Sequence, residues 1–287
     1  MRRKAKGIRK FFKTPKGQLT IILAILVLIA APVEGWALVW RGMLGAIAIA
    51  GAVDVAILWV RSGEWQFPSG AVLTAMIVAM VLQVQEPWYI TATVSTFAVV
   101  SKYLVRSRAA NVFNPAALAI VVSHYVFHTG QSWWGALPMV RPVLQLALLA
   151  GGLYITERVN KIPLVIAFLG AFYLLFTVTA FVGDPGLVAE VYRAPDLQAA
   201  VYFATIILTD PPTSPAKAHD QMVCGVIVAV VSYAFFMQLG VAYYMLAGVL
   251  AGNVYEAWRR VMRRSQHRFP RGTLHFVREV SPWKTVA

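Results

Sequence analysis

Long runs of apolar residues, separated by short polar segments, dominate the pattern of this chain. The runs have the length and composition of helices that are buried in lipid or against one another. The pattern therefore predicts an all-α integral membrane protein with about ten transmembrane helices. The predicted segments cover residues 19–33, 37–60, 69–83, 88–105, 113–127, 141–157, 162–182, 198–208, 221–237 and 240–257.

Two of these segments, 69–83 and 198–208, are short. They are the third and the eighth of the ten, so each is the third segment of its half. Pro68 precedes one and Pro195 precedes the other, and each ends at an acidic residue followed by proline. In the predicted topology they run in opposite directions. Short, interrupted segments in oppositely oriented halves point to a binding site near the bilayer midplane. We therefore predict two inverted five-helix repeats with short third and eighth helices.

Composition supports a polytopic membrane protein and excludes an ordinary soluble domain. Hydrophobic residues make up 59% of the 287 residues and charged residues only 13%, and the mean hydropathy is +0.66. The single cysteine, Cys224, lies in an apolar run. An internal disulfide is therefore excluded, and a small buried packing role is the better interpretation.

The basic residues are distributed unevenly along the predicted topology. With the N-terminus inside, the cytoplasmic segments carry 23 Lys or Arg residues and the outer loops carry 3. This asymmetry predicts that both termini are cytoplasmic, with a basic tail at residues 1–18, a transmembrane region at 19–257 and a second basic tail at 258–287. We expect a multi-pass protein of the cell (inner) membrane. The formal net charge of +14 then reflects topology and attraction to anionic lipid rather than nucleic-acid binding.

A polar stretch, Thr209–Pro215, lies between two strongly apolar runs. Its three prolines prevent a continuous helix. Non-helical backbone beside lipid is tolerated where it is buried in protein or lines a cavity. The stretch carries the carboxylate of Asp210 and the hydroxyls of Thr209, Thr213 and Ser214. It is therefore either a polar turn at the membrane surface or part of a ligand site.

Other polar residues at predicted membrane depth also have a structural and a functional interpretation. Asp54 lies inside the second segment and is a proton relay, an ion ligand, the partner of a cation or a structural residue at a cavity wall. Asn111 and Asn114 flank the start of the fifth segment, where they can cap free N–H groups or hold an anionic cofactor. His124 and His128 share one helix face, but with no third ligand nearby in the sequence, hydrogen bonding suits them better than metal binding.

Three motifs follow one another in the order found in a known family. Leu208–Pro215 resembles a TDPxTSP signature, Asn111–Leu118 is similar to an N-x-F-N-P-A motif, and Ser69–Thr74 resembles an S-A-x-x-T segment. These are motifs of the RnfD/NqrB family, which are membrane subunits of Rnf electron-transport complexes and of the sodium-translocating NADH:quinone oxidoreductase. The resemblance implies two inverted five-helix halves. It also implies a flavin, FMN or riboflavin, held non-covalently by Ser69, Thr74, Asn111, Asn114, Thr209, Asp210, Thr213 and Ser214.

The chain departs from the family in two regions related to flavin. Family members link one flavin mononucleotide to the threonine of an S-x-A-T-P motif in the outer loop after the fifth helix. The nearest match is Trp134–Pro138, in which Leu137 occupies the threonine position. A phosphoester needs the threonine oxygen, so we predict no covalently attached flavin. The second departure is Asp196–Ala200, where family members often carry L-S-G-x.

The resemblance implies a membrane subunit of an ion-translocating electron-transport complex, with flavin bound non-covalently if at all. The chain has no Gly-rich nucleotide-binding loop and no soluble domain of useful size. As a non-autonomous part of a redox-driven translocase, it would need other membrane and soluble subunits as electron-transfer partners. The alternative is a solute or ion transporter or channel on the same scaffold without redox chemistry, because a fold does not decide function.

Overall fold

The computed structural model describes residues 11–107 and 110–268, which form a bundle of ten helices. Short 3-10 turns and loops join the helices, and no β-strand occurs in these residues. The helices are α1 (Pro15–Glu34), α2 (Trp36–Ser62), α3 (Ser69–Val81), α4 (Trp88–Leu104), α5 (Pro115–Phe127), α6 (Pro142–Arg158), α7 (Ile162–Val182), α8 (Asp196–Tyr202), α9 (Ala218–Leu239) and α10 (Tyr244–Arg268).

The predicted all-α class is confirmed, and each predicted segment coincides with one helix of the described chain. Helices α1, α2, α7 and α9 are long and apolar enough to cross a membrane. Helices α3, α5 and α8 with its extension are apolar but shorter. These features are those of a multi-pass membrane protein. The number of helices that span the bilayer and the orientation of the termini remain predictions.

Helices α3 and α8 are too short to cross a bilayer on their own. Helix α3 has 13 residues, which corresponds to about 20 Å, whereas the hydrocarbon core is about 30 Å thick. Helix α8 continues through a π-helical turn, Phe203–Ile207. Pro68 and Pro195 stand directly before the two helices. Both helices are short, as predicted, while their inverted orientation in the membrane stays a prediction.

The two halves of the bundle, α1–α5 and α6–α10, share an order of helix packing. Helix α2 packs along α4 and α4 against α5, and in the same way α7 packs along α9 and α9 against α10. Each half also packs its first helix against its short third helix. The halves meet where α1 contacts α6 and where α5 contacts α10. This order of contacts fits an internal repeat.

Close packing fixes α9 against α7 and thereby holds the loop that precedes α9. Phe168, Phe172 and Phe176 are spaced by four residues on α7, so they share one face, and all three are fully buried. Gly225 lies on the facing side of α9. A Cβ atom there would come within 2.7 Å of the backbone oxygen of Leu164. The two helix backbones therefore approach too closely for any larger residue at this position.

The helices at both ends of the chain extend into the predicted basic tails. Helix α1 begins at Pro15, with the Thr14 hydroxyl accepting a hydrogen bond from the Gly17 amide at 3.2 Å. Helix α10 continues past residue 257 to Arg268. The arginines between residues 258 and 268 are thus carried on a helix. Residues 1–10 and 269–287 of the two predicted tails lie outside the described residues.

Candidate functional site

The stretch Thr209–Pro215 forms a compact loop between α8 and α9, and Asp210 is its centre. The Asp210 carbonyl accepts hydrogen bonds from the Ser214 amide at 3.1 Å and the Ser214 hydroxyl at 2.8 Å. The Thr213 hydroxyl donates to the Asp210 carboxylate at 2.9 Å. Thr213 and Ser214 are buried. Part of the motif therefore serves the structural turn that the prolines predict.

Side chains from elsewhere in the bundle donate to the carbonyl groups of this loop. Its prolines have no N–H groups, so the loop cannot satisfy its own carbonyls in the way a helix does. Lys161 Nζ donates to the carbonyl of Ser214 at 3.3 Å and also contacts the carbonyl of Pro215. Arg260 Nη1 donates to the carbonyl of Pro212 at 2.7 Å. The loop is fixed from the start of α7 and from α10.

Asn114 and Asn253 connect the loop to the start of α5. Asn114 Oδ1 accepts from the Ala117 amide at 3.1 Å, which confirms the predicted N-cap. Asn114 Nδ2 donates to the carbonyl of Ile207 at 3.1 Å, at the end of the π-helical turn. Asn253 Oδ1 accepts from the Asn114 amide at 2.7 Å, and Asn253 Nδ2 donates to the carbonyl of Thr213 at 3.2 Å. One buried polar network thus links both halves of the bundle.

A cavity of about 530 Å³, which we call the Asp210 cavity, opens beside this network. It lies at the end of the bundle where α1, α3 and α5 begin and where α6 and α8 end. Five of the residues predicted to hold a cofactor line it: Thr74, Asn111, Asn114, Thr209 and Asp210. The expected grouping of Asp210 with the two asparagines and the third helix is therefore present.

Three other predicted residues are not among those that line this cavity. Ser69 is half-buried at the first position of α3. Thr213 and Ser214 turn their hydroxyls back onto Asp210. Position in the motif alone could not distinguish hydroxyls that face the cavity from those that close the turn. The cofactor roles of all eight residues remain predictions.

Two lysines also line the Asp210 cavity, although the sequence indicated them only as basic residues of the predicted cytoplasmic side. Lys16 comes from the start of α1, and Lys102 comes from the last turn of α4. Burial raises the pKa of the loop residue Asp210, and the hydrogen bond from Thr213 and the charges of the two lysines partly offset this effect. The cavity wall therefore combines two cationic side chains with one carboxylate.

Asp54 does not line the cavity but is linked to it through α4. Its side chain is buried on α2, and Oδ1 accepts a hydrogen bond from the Tyr103 hydroxyl at 2.6 Å. The Arg61 guanidinium lies 4.6 Å from the centre of the Tyr103 ring. Asp54 also interacts electrostatically with Lys102. The sequence showed no matching cation because these residues meet only when α2 packs along α4. An ion or proton role for Asp54 remains a prediction.

The histidine pair and the loop between α5 and α6 are the two remaining places where the sequence suggested a possible ligand. His124 Nδ1 lies 3.3 Å from the carbonyl of Thr129, and His128 ends α5. No cluster of three His, Cys, Asp or Glu side chains suited to a metal occurs in the described residues. Leu137 is fully buried, with a left-handed backbone (φ 63°). The absence of covalent flavin remains a prediction that rests on the leucine side chain.

Fold and site together define the class: a multi-pass helical membrane protein with a polar cavity built from both halves. The sequence model of the NQR2, RnfD, RnfE family matches residues 8–140. This match confirms the resemblance to the RnfD/NqrB family and supports an RnfD/NqrB-like membrane subunit. It includes Ser69–Thr74 and Asn111–Leu118, whereas Leu208–Pro215 lies beyond it. No curated protein matches the chain.

Proposed function

We propose that this chain is a membrane subunit of an ion-translocating electron-transport complex and that the Asp210 cavity holds FMN or riboflavin without a covalent bond. The observation that carries the proposal is the convergence of motif residues from α3, α5 and the Thr209–Pro215 loop on one cavity. Its volume of about 530 Å³ is in the range of small-molecule sites, about 300 to 1,000 Å³. The family match supports the membrane-subunit part of the proposal.

The cavity wall fits a flavin with a phosphate group. Lys16 and Lys102 supply positive charge, and the start of α5 adds the partial positive charge of a helix N-terminus. Leu73, Ile77 and Ile206 supply an apolar surface for a planar ring system. A bound flavin supplies electron transfer, while the protein supplies binding, orientation and electrostatics. In this cavity the lysines would supply the electrostatics, and the asparagines and the apolar side chains would bind and orient the ring system.

Transport without redox chemistry is the second candidate, and one observation favours it. The structure contains a second cavity at the opposite end of α1, built from corresponding elements of the other half. Cavities at both ends of two repeated halves suit alternating access. The visible spectrum of the purified protein separates the two functions. Flavin absorbance near one per chain supports electron transfer, and a colourless, well-folded protein supports transport.

Flavin content per folded protein tests the proposal directly. Asp210→Ala is expected to lower flavin content more than Asp184→Ala, because Asp184 lies in an exposed loop and its side chain accepts from the nearby Gly186 amide. Content is measured on monodisperse fractions, since Asp210 also holds its own turn. The flavin should leave the chain on denaturation because Leu137 has no oxygen to hold it. Equal flavin content in the two variants would leave Thr209–Pro215 as a structural turn.

A second arm of the experiment tests the phosphate-binding role of the lysines. Lys102→Gln is expected to weaken FMN binding about tenfold, because it removes a charge-assisted contact. Riboflavin has no phosphate, so its affinity should be unchanged. An equal loss for both ligands would place Lys102 away from the phosphate. Lys13→Gln is the matched control, because Lys13 is exposed and does not line the cavity.

A further inference from the structure

A second cavity, which we call the Glu34 cavity, has a volume of about 350 Å³. It is formed by the end of α1, the loop between α5 and α6, and the starts of α8 and α10. Its wall contains two carboxylates, two amides and two large aromatic side chains. These six residues are Glu34, Asp196, Gln85, Gln131, Trp133 and Tyr244.

The charges of this cavity are opposite to those of a phosphate site. Glu34 and Asp196 are half-buried, and neither makes a hydrogen bond or ion pair within the described chain. No Lys, Arg or His is among the described residues that line the cavity. Glu190, which is exposed nearby, acts electrostatically on Asp196 with the same sign. A cation would neutralise these carboxylates, whereas a phosphate would be repelled by them.

Independent of the charges, the wall contains buried polar groups with no partner. The Tyr244 side chain is 5% exposed, and its hydroxyl makes no hydrogen bond. Asp196 lines the same cavity and interacts electrostatically with Tyr244. Both polar atoms of the Gln131 side chain are also buried and unpaired. A buried unpaired polar group costs about 1 to 3 kcal/mol, so these groups point to a ligand that would pair them.

The size and the aromatic wall favour an organic cation over a bare metal ion. Trp133 is 7% exposed and lines the cavity. Its backbone is left-handed (φ 51°), which is uncommon for a bulky residue. Tryptophan is the side chain whose ring face attracts cations most strongly. A cavity of about 350 Å³ also has room for the alkyl groups of an amine, which a dehydrated metal ion does not need.

We propose that the Glu34 cavity binds a small organic ammonium cation. Glu34 and Asp196 hold its charge, the Trp133 indole packs against its alkyl groups, and Gln131 and Tyr244 supply neutral polar contacts. This site is separate from the proposed flavin site and does not depend on it.

Choline chloride is the probe for a direct test. The purified full chain is placed in nanodiscs of phosphatidylglycerol, whose headgroup contains no ammonium, and titrated by calorimetry against sodium chloride at constant ionic strength. Saturable choline binding is expected. Glu34→Gln and Asp196→Asn should each weaken it about tenfold, because each removes one charged partner. Glu157→Gln is the matched control, since Glu157 is an exposed carboxylate at the far end of the bundle.

The other outcomes of this experiment have definite meanings. Absence of saturable choline binding by the wild-type chain, or binding unchanged in both Glu34→Gln and Asp196→Asn, overturns the proposal. Sodium that competes as strongly as choline also overturns it in favour of an inorganic cation site. Weaker choline binding when phosphatidylethanolamine replaces a neutral lipid without an ammonium group, at constant phosphatidylglycerol content, supports the site and points to a lipid ammonium group as its occupant. A monodisperse elution profile shows that a variant is folded, so this test does not depend on whether the chain binds flavin.

Discussion

The two cavities lie at opposite ends of the bundle and are built from corresponding elements, but their polar groups are satisfied differently. At the Asp210 end, Lys161, Asn253 and Arg260 donate to the loop carbonyls, and Asn114 caps α5. At the Glu34 end, the Tyr244 hydroxyl and the Gln131 amide have no partners. The loop carbonyls at the first end therefore have donors, and the unpaired buried atoms there, Gln221 Oε1 and Glu256 Oε2, belong to side chains that make other bonds. The second end carries an energetic cost that a ligand can relieve.

The largest expected effect comes from removing the Asn253 side chain, which bonds to two buried backbone groups at the Asp210 end. Asn253→Ala removes the partners of two buried backbone groups, the Asn114 amide and the Thr213 carbonyl. The free energy of unfolding should fall by about 2 to 6 kcal/mol, since each of the two unsatisfied groups costs about 1 to 3 kcal/mol. Unfolding in mixed micelles with increasing dodecyl sulfate measures this change. Gln238→Ala, on an exposed position of α9, is the control, and equal losses would contradict this role of Asn253.

A smaller loss is expected where α10 is tied to the start of α9. Asp220 is 3% exposed and accepts hydrogen bonds from Arg259 and Arg263. Asp220→Asn should lower the unfolding free energy by about 1 to 2 kcal/mol, less than for a fully buried pair because both arginines are partly exposed. The same unfolding assay applies. Asp184→Asn should change nothing measurable, and an equal effect there would mean that the ion pairs add no stability.

The smallest effect has the opposite sign and belongs to the Glu34 end. Tyr244→Phe removes a buried hydroxyl that has no partner, so the ligand-free protein should gain about 1 kcal/mol. Excess choline should stabilise the wild-type chain more than the variant. Thermal unfolding with and without choline measures both changes. Tyr154→Phe, on an exposed position of α6, should be neutral. A loss of stability in Tyr244→Phe would mean that the hydroxyl is already satisfied.

The sequence predicted the helices well because each apolar run reports directly on burial. The proline pair at positions 68 and 195 also located the two short helices. Helix ends were less predictable at the basic tails. Helix α10 continues to Arg268 because Arg259 and Arg263 bond to Asp220 on α9, and this contact between helices leaves no trace in local hydropathy.

For the site, motifs predicted which segments meet but not which side chains face the cavity. Asn111, Asn114 and Asp210 line it as the motifs suggested. Lys102 was missed because its role depends on the packing of α4 beside α3 and α5. Its position inside a predicted apolar segment was the available signal. The sequence alone does not show that Asn253 on α10 bonds both to the start of α5 and to the loop, because these segments meet only in the folded bundle.

Asn253 also joins the two halves at one end of the bundle. Through Asn114 it fastens α5 of the first half to α10 and the Thr209–Pro215 loop of the second half. If one half rotated against the other without breaking these bonds, the axis of rotation would pass close to Asn253. Over the length of α1, about 30 Å for its 20 residues, a turn of about 5° displaces the far end by about 2 to 3 Å. The Glu34 cavity would open and close while the Asp210 cavity keeps its shape.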